Sequence, residues 1–262
     1  MEVVADQLRG AELRGGGVNY GNSSVSTFGL NVMTPVADAG RTMWDAGFEW
    51  RRMEFSYYAE PGSPGALQAV DIPVVASWEL GEVTTLGVMI KPGFYSDMYD
   101  IGLADVNVPG GIRLFHEHHP DLLWTLGLQF DPWHEIPVIP DFGVRWRFWY
   151  DFVLNASLPN PRLEYEMSDR WATYVGFQWR GGTYRVSRNT VASGGLPGTD
   201  NATLTFRDLR VGAGFRYAWS DESHLTFGAG YSFYRHLNYD RGGQLLRAHG
   251  SPYIRLAVHG EW

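Results

Sequence analysis

Apolar and polar residues alternate along most of the chain. In "SPYIRLAVHGEW", Ile254, Leu256 and Val258 fall on one face of an extended strand, and Arg255 and His259 fall on the other. Successive side chains of a strand point to opposite faces, so the pattern predicts strands with one apolar and one polar face. No helical period persists in any such segment. The segments are 16–35, 43–58, 67–80, 83–93, 108–117, 122–131, 138–149, 152–167, 171–186, 204–219, 224–238 and 252–262.

The alternation predicts an all-β fold of about twelve antiparallel strands, with ten or fourteen as alternatives. Two segments affect the number. "VNYGNSSVSTFGLNV" could be a hairpin around Gly21 and Asn22, and "LNASLPNPRLEY" contains Pro159 and Pro161, which cannot donate ladder hydrogen bonds. We find no linker, repeat or low-complexity tract, so residues 1–262 are expected to form a single domain. Residues 1–12 are expected to be a periplasmic N-terminal extension.

Alternation alone does not decide between a soluble sheet protein and a membrane barrel. A soluble sheet buries its apolar face, whereas a membrane barrel turns that face toward lipid. Three features favour the barrel: glycines on the polar face, a last strand that runs to the end of the chain, and large aromatic residues near strand ends. Such aromatic residues form girdles at membrane interfaces. The predicted girdle consists of Trp124, Trp146, Trp171, Trp179, Trp219 and Trp262.

Composition excludes several other classes of protein. The chain has no cysteine, so disulfides and thiolate chemistry are excluded. A net charge of −8 argues against nucleic acid as a partner. No apolar run approaches the roughly 20 residues that a spanning helix needs. "EVVADQLRG" after Met1 does not resemble a signal peptide, so we expect a mature sequence with a start methionine. The expected location of the predicted barrel is a bacterial outer membrane.

The polar face carries charges that a barrel would turn toward its lumen. These charges either brace a packed interior, because unpaired buried charge is costly, or line a narrow water-filled pore that filters small solutes. The sequence leaves both interpretations open. The predicted lumen-facing network consists of Arg145, Arg147, Arg162, Glu164, Glu166, Arg180, Arg210, Arg216, Arg255 and Glu261.

One motif could hold a metal. "FHEHHP" places His116, Glu117, His118 and His119 within four positions, and imidazole and carboxylate groups are transition-metal ligands. Strand alternation, however, separates His116 and His118 from Glu117 and His119, and Pro120 indicates a turn. A solvated histidine cluster is therefore the preferred interpretation, and the sequence implies neither a metal nor a cofactor.

The chain also lacks an evident catalytic group. It has no "GxSxG" nucleophile motif. His259 and Glu261 share the inward face two residues apart, but alternation alone places them there, so structural pairing is the preferred interpretation. We predict no catalytic residue. An outer-membrane enzyme that modifies lipids remains the alternative from a different class.

The last strand resembles the C-terminal signal of bacterial outer-membrane barrels. The matching positions are Ile254, Leu256, Val258 and Trp262, with Gly260 as a departure from the usual apolar residue. This resemblance implies the barrel-assembly machinery as a partner during biogenesis, with outer-membrane lipids around the finished barrel.

A second resemblance covers roughly residues 80–262. "PVIPDFGVRWR", "LPNPRLEYEMS", "GGTYRV", "RVGAGFRY" and "GAGYSFYRHLNY" resemble a bacterial outer-membrane barrel family described only as a domain of unknown function. The resemblance implies a barrel in a bacterium with two membranes and assigns no role to any residue. We therefore expect a passive outer-membrane barrel, either a narrow pore for small solutes or a closed structural barrel. A lipid-modifying enzyme and a soluble all-β binding protein are the alternatives.

Overall fold

The computed structural model describes residues 1–57, 64–187, 199–240 and 244–260. No helix in these residues is long and apolar enough to span a membrane. A short 3-10 helix covers Leu103–Asp105, and the strands are β1 (Glu2–Gly15), β2 (Val18–Asp38), β3 (Thr42–Tyr57), β4 (Ala66–Asp71), β5 (Val74–Gly81), β6 (Thr84–Ile90), β7 (Gly93–Ser96), β8 (Val106–Asn107), β9 (Gly110–His119), β10 (Leu122–Phe130), β11 (Val138–Trp149), β12 (Phe152–Asn155), β13 (Arg162–Glu166), β14 (Trp171–Arg185), β15 (Thr203–Ala218), β16 (His224–Tyr239), β17 (Leu245–Ala248) and β18 (Ser251–His259).

The strands form one sheet that closes on itself. Apart from a parallel contact between β14 and β7, the paired strands run antiparallel, and β1 pairs with both β2 and β18. Four short interruptions divide single passes of the wall, so β4 with β5, β6 with β7, β8 with β9, and β17 with β18 each form one pass. The described residues therefore form an antiparallel barrel of about fourteen passes.

The barrel confirms the predicted all-β class, and its strand number corresponds to the higher alternative rather than to twelve. Residues 1–12 are predicted as a periplasmic extension, but from Glu2 onward they belong to β1 in the wall. The predicted segment 152–167 is two strands, β12 and β13, which are separated at Pro159 and Pro161. The other doubtful segment is not a hairpin, because β2 runs through Gly21 and Asn22 without a break.

Part of the way along the barrel, the outward face of the wall changes from apolar to polar and the inward face changes from polar to apolar. On β3 the outward side chains are apolar at Phe48 and Trp50, and the next outward positions are Arg52 and Glu54. On β15 Leu209 and Val211 lie outward, whereas Arg207, the next outward position beyond them, is charged. The barrel therefore has a terminal half, which holds Met1 and Gly260, and a distal half, which holds the opposite strand ends.

The terminal half has the dimensions of a membrane-embedded wall. Its apolar outward face runs along β15 from Leu209 to Trp219, the residue directly after the strand. Ten residue steps of about 3.3 Å at a tilt of about 40° give a height of about 25 Å, the usual height of a lipid-facing apolar band. Beyond this belt the outer surface becomes polar, as expected for a wall that meets water.

The distal half is filled with apolar side chains on its inside. Its core, which we call the distal plug, comes from β1–β4, β7 and β14–β18, and among the described residues β8–β13 contribute none of its buried side chains. The end of β14 crosses the barrel to reach β7, where Arg185 pairs with Ser96 and the Asp97 N–H donates to the Arg185 carbonyl at 3.1 Å. The plug contains Leu8, Leu13, Val25, Met53, Phe55, Leu67, Tyr184, Leu204, Phe206, Leu237 and Leu246.

Candidate functional site: the charged lumen

Two cavities lie inside the barrel. The larger has a volume of about 590 Å³, and Met53, Tyr184 and Phe206 of the plug form part of its lining. The smaller, of about 220 Å³, lies nearer the termini, beside His224 and His259. Glu2, Asn160 and Arg255 line both cavities. The lumen is therefore a series of two chambers between the plug and the terminal end.

A buried ion cluster lies against the larger cavity. Arg210, which is 1% exposed, donates from Nε to Asp208 Oδ2 at 2.6 Å and from Nη1 to Asp6 Oδ2 at 2.5 Å. Arg180 Nη1 reaches the same Asp6 oxygen at 3.1 Å. Ser232 Oγ donates to Asp208 Oδ1 at 2.5 Å. Asp6 thus holds two guanidinium groups from neighbouring strands, which buries charge in a paired form.

A second network links β11, β13 and β15 closer to the termini. Arg147 Nη1 donates to Glu166 Oε2 at 2.6 Å, and Arg162 Nε donates to Glu164 Oε1 at 2.9 Å. Arg216 lies between the two carboxylates, at 3.7 Å from Glu164 and 3.9 Å from Glu166. The network brings together five of the predicted lumen charges and connects three passes of the wall.

The remaining predicted lumen charges occupy different surroundings. Arg255 Nη2 lies 3.7 Å from Glu2 Oε1, where the two cavities meet. Arg145 has the same strand parity as Arg147, but it is exposed and forms no ion pair with another described residue. Glu261 lies outside the described residues.

Several lumen charges were not predicted from the sequence, among them two sets. Glu49 Oε1 accepts from Arg51 Nη2 at 3.1 Å, and Glu49 Oε2 accepts from Lys91 Nζ at 2.5 Å. Glu49 and Arg51 alternate with large apolar residues, so strand parity was a sufficient signal for both. Asp6 was missed because its strand was assigned to an extension, and Asp208 was missed although it has the parity of Arg210.

The predicted girdle tryptophans that are described all lie on the outer surface. Their exposed fractions fall between 41% and 49%. Trp171 contacts Tyr217 with ring centroids 4.7 Å apart, and Trp146 contacts Phe148 at 5.5 Å. Trp179 lies farther from the termini, eight residues beyond Trp171 on β14. The described girdle residues are Trp124, Trp146, Trp171, Trp179 and Trp219, and Trp262 lies outside the described residues.

The last described strand lies within the closed wall. β18 pairs with β1 on one side and β16 on the other. Ile254 and Leu256 are 56% and 44% exposed on its outer face, and Val258 is partly buried. The recognition of this strand by assembly machinery stays a prediction.

The histidine motif lies at a turn near the terminal end. The His116 and His118 ring centroids are 6.3 Å apart, and His116 Nδ1 lies 3.0 Å from Thr84 Oγ1. His119 Nδ1 lies 3.6 Å from Asp121 Oδ2, with both side chains largely exposed. Among the described residues no group of three or more histidine, aspartate or glutamate side chains is arranged to hold a metal ion.

Comparison with known proteins gives one family and a set of similar folds. The family described as "Domain of unknown function (DUF6268)" matches residues 38–244. No curated protein matches the chain. One solved structure, described as "TodX deltaS2S3 mutant monoaromatic hydrocarbon channel", is 9% identical with a TM-score of 0.51, covering 100% of this chain and 90% of that chain. An outer-membrane channel from Pseudomonas putida F1 is 12% identical with a TM-score of 0.50, covering 99% and 93%. At these identities the similarity shows a shared fold.

Proposed function

The chain belongs to the family described as a domain of unknown function (DUF6268), and we propose that it is a passive channel of the bacterial outer membrane for small solutes. The observation that carries the proposal is the terminal half of the barrel, which has an apolar exterior and a charged, chambered interior. A wall of this kind suits lipid outside and water inside. The two neighbours with similar folds are described as channels, which agrees with this role.

The chambers suggest where a solute would be filtered. Glu2, Asn160 and Arg255 surround the junction between the two cavities, so a solute moving through the lumen passes these side chains. Charged groups at a constriction select solutes by size and charge. The lipid-facing belt would contact outer-membrane lipids, and β18 would be the segment that the assembly machinery binds.

Planar-bilayer recording of the purified protein tests the proposal. We expect discrete conductance steps. An Asn160→Trp variant should lower the step size, because it places a large side chain at the junction of the cavities. Leu163→Trp is the matched control, because Leu163 lies nearby on β13 with its side chain on the outer surface and 36% exposed. Equal steps in the two variants would contradict this assignment of the conducting route.

A closed structural barrel is the second candidate, and the distal plug favours it. The plug fills the interior above the larger cavity with side chains that are almost completely buried. A protein that inserts into bilayers and shows heat-dependent gel mobility, but gives no conductance steps, would support this candidate. A protein that stays monodisperse without detergent would contradict both.

A further inference from the structure

One part of the barrel wall is much shorter than the rest. β12 and β13 have four and five residues, whereas the flanking strands β11 and β14 have twelve and fifteen. Pairing of β11 with β12 stops at Arg145 and Asn155, and pairing of β13 with β14 stops at Arg162 and Gly176. In the described part of the chain, no strand joins residues 138–143 of β11 to residues 177–184 of β14.

Two chain segments bound the gap: one on the side nearer the termini, which we call the floor, and one on the distal side, which we call the top. At the floor, the Phe177 N–H donates to the Pro161 carbonyl at 2.9 Å and the Trp179 N–H donates to the Pro159 carbonyl at 2.8 Å. At the top, the loop 131–137 reaches across, and Arg207 Nη2 lies 3.3 Å from Glu135 Oε2. The two free strand edges and these two segments enclose a window in the wall.

At two positions, the edges of the window need no partner strand. An unpaired amide or carbonyl group is costly at membrane depth. Pro140, whose register on β11 directs its nitrogen toward the gap, has no N–H to satisfy. On the opposite edge, the Gly181 carbonyl accepts from Arg51 Nη1 at 3.4 Å.

The window connects the larger cavity to the outer surface. Residues from its sides, floor and top line that cavity, and the large apolar ones exposed at the protein surface include Ile136 at 59%, Leu158 at 40% and Trp179 at 42%. Phe177 and Phe142, the outward residues next to the window, are 57% and 53% exposed and belong to the apolar belt. The window thus begins at the distal edge of the belt, where Trp179 pairs with Leu209 and the next outward residue of β15, Arg207, is charged.

We propose that this window is a lateral opening through which small amphipathic molecules pass between the lipid layer and the lumen. The inference rests on the proposed membrane location and channel function. Since the plug closes much of the axial route, a side entrance gives the cavity its access. The rim is apolar at Ile136, Leu158 and Trp179. Just inside, Arg180 shares the Asp6 carboxylate with Arg210, which leaves Arg180 able to donate to the polar or anionic end of such a molecule.

Fluorescence quenching in lipid vesicles tests the lateral route. The chain contains no cysteine, so a Gln129→Cys variant carries one nitrobenzoxadiazole label. Gln129 pairs with Ile139 beside the window, and both line the cavity. We expect 10-doxylnonadecane, an alkane quencher dissolved in the bilayer, to quench this label. Adding Leu158→Trp or, independently, Ile136→Trp should at least halve the quenching constant. Adding Leu163→Trp, on the outer wall away from the cavity lining, should leave it unchanged.

A second labelled position separates failure of the window from failure of the proposed function. Leu126 lies in the middle of β10 and is 62% exposed on the outer face. A label on Leu126→Cys should be quenched by the alkane and protected from iodide in water. Failure of that result would overturn the membrane location. If Leu126→Cys behaves as expected but the Gln129→Cys label is insensitive to the alkane or to both blocking variants, the lateral opening is wrong and the channel proposal stands.

Discussion

Removal of the Asp6 charge tests whether the buried ion cluster holds the barrel together. Asp6 is 4% exposed and pairs with both Arg210 and Arg180. The isosteric Asp6→Asn variant keeps the shape of the side chain but leaves Arg210 with Asp208 and Arg180 without a carboxylate. Breaking a buried pair costs about 3–5 kcal/mol. Because Arg210 retains one partner and Arg180 is 19% exposed, we expect the lower end, about 3 kcal/mol.

The assay is reversible urea unfolding in lipid vesicles, followed by tryptophan fluorescence. Glu2→Gln is the matched control, because Glu2 is a carboxylate on the same strand, 42% exposed and 3.7 Å from its arginine. Exposed pairs contribute about 0–1 kcal/mol, so this control should lose no more than that. If Asp6→Asn and Glu2→Gln destabilise equally, the reasoning on buried charge is refuted.

Three further variants, two of them with a control, test the wall and the plug by the same unfolding assay. Leu126→Arg, in the middle of the lipid belt, should cost about 2–4 kcal/mol, whereas Gln7→Arg, on the polar outer surface of β1, should change stability by less than about 0.5 kcal/mol. Leu204→Ala, at a fully buried plug position, should cost about 2–5 kcal/mol, and an effect below about 1 kcal/mol would contradict a packed plug. Gly230→Ala should cost about 1–3 kcal/mol, because its Cβ would lie 2.1 Å from the Val211 carbonyl oxygen, whereas Gly102→Ala, with open space around it, should be neutral.

The strands of the wall could be predicted from sequence because the alternation of apolar and polar residues lies within each strand. A strand between lipid and an aqueous lumen must alternate, and Phe215 with Arg216 on β15 shows this directly: Phe215 is outward and 38% exposed, and Arg216 lies in the inward ion network. β1 was not predicted as a strand, because its inward side chains change from charged at Asp6 to apolar at Leu8, the next inward position. That change occurs where the outer surface leaves lipid, and a single period-2 pattern does not describe both sides of it.

The plug and the window could not be predicted because they depend on pairing between distant strands. Phe206, Asp208 and Arg210 have the same parity on β15, and only the closed barrel places Phe206 in an apolar core and Arg210 in an ion cluster. Pro159 and Pro161 correctly indicated a break in the wall. They do not indicate whether the flanking strands pair again beyond it, because strand register is set by non-local contacts.

The plug and the window have a common structural origin in the path of β14. Its first residues pair with β13, but near Gly181 the strand contacts Arg51 of β3, and at Arg185 it pairs with β7 across the lumen. A strand that crosses to β7 closes the distal interior and at the same time leaves β11 without a partner. Gly181 permits this path, since a Cβ there would lie 2.4 Å from the Phe206 carbonyl oxygen. The closure of the axial route and the opening of the side wall therefore follow from one change in direction.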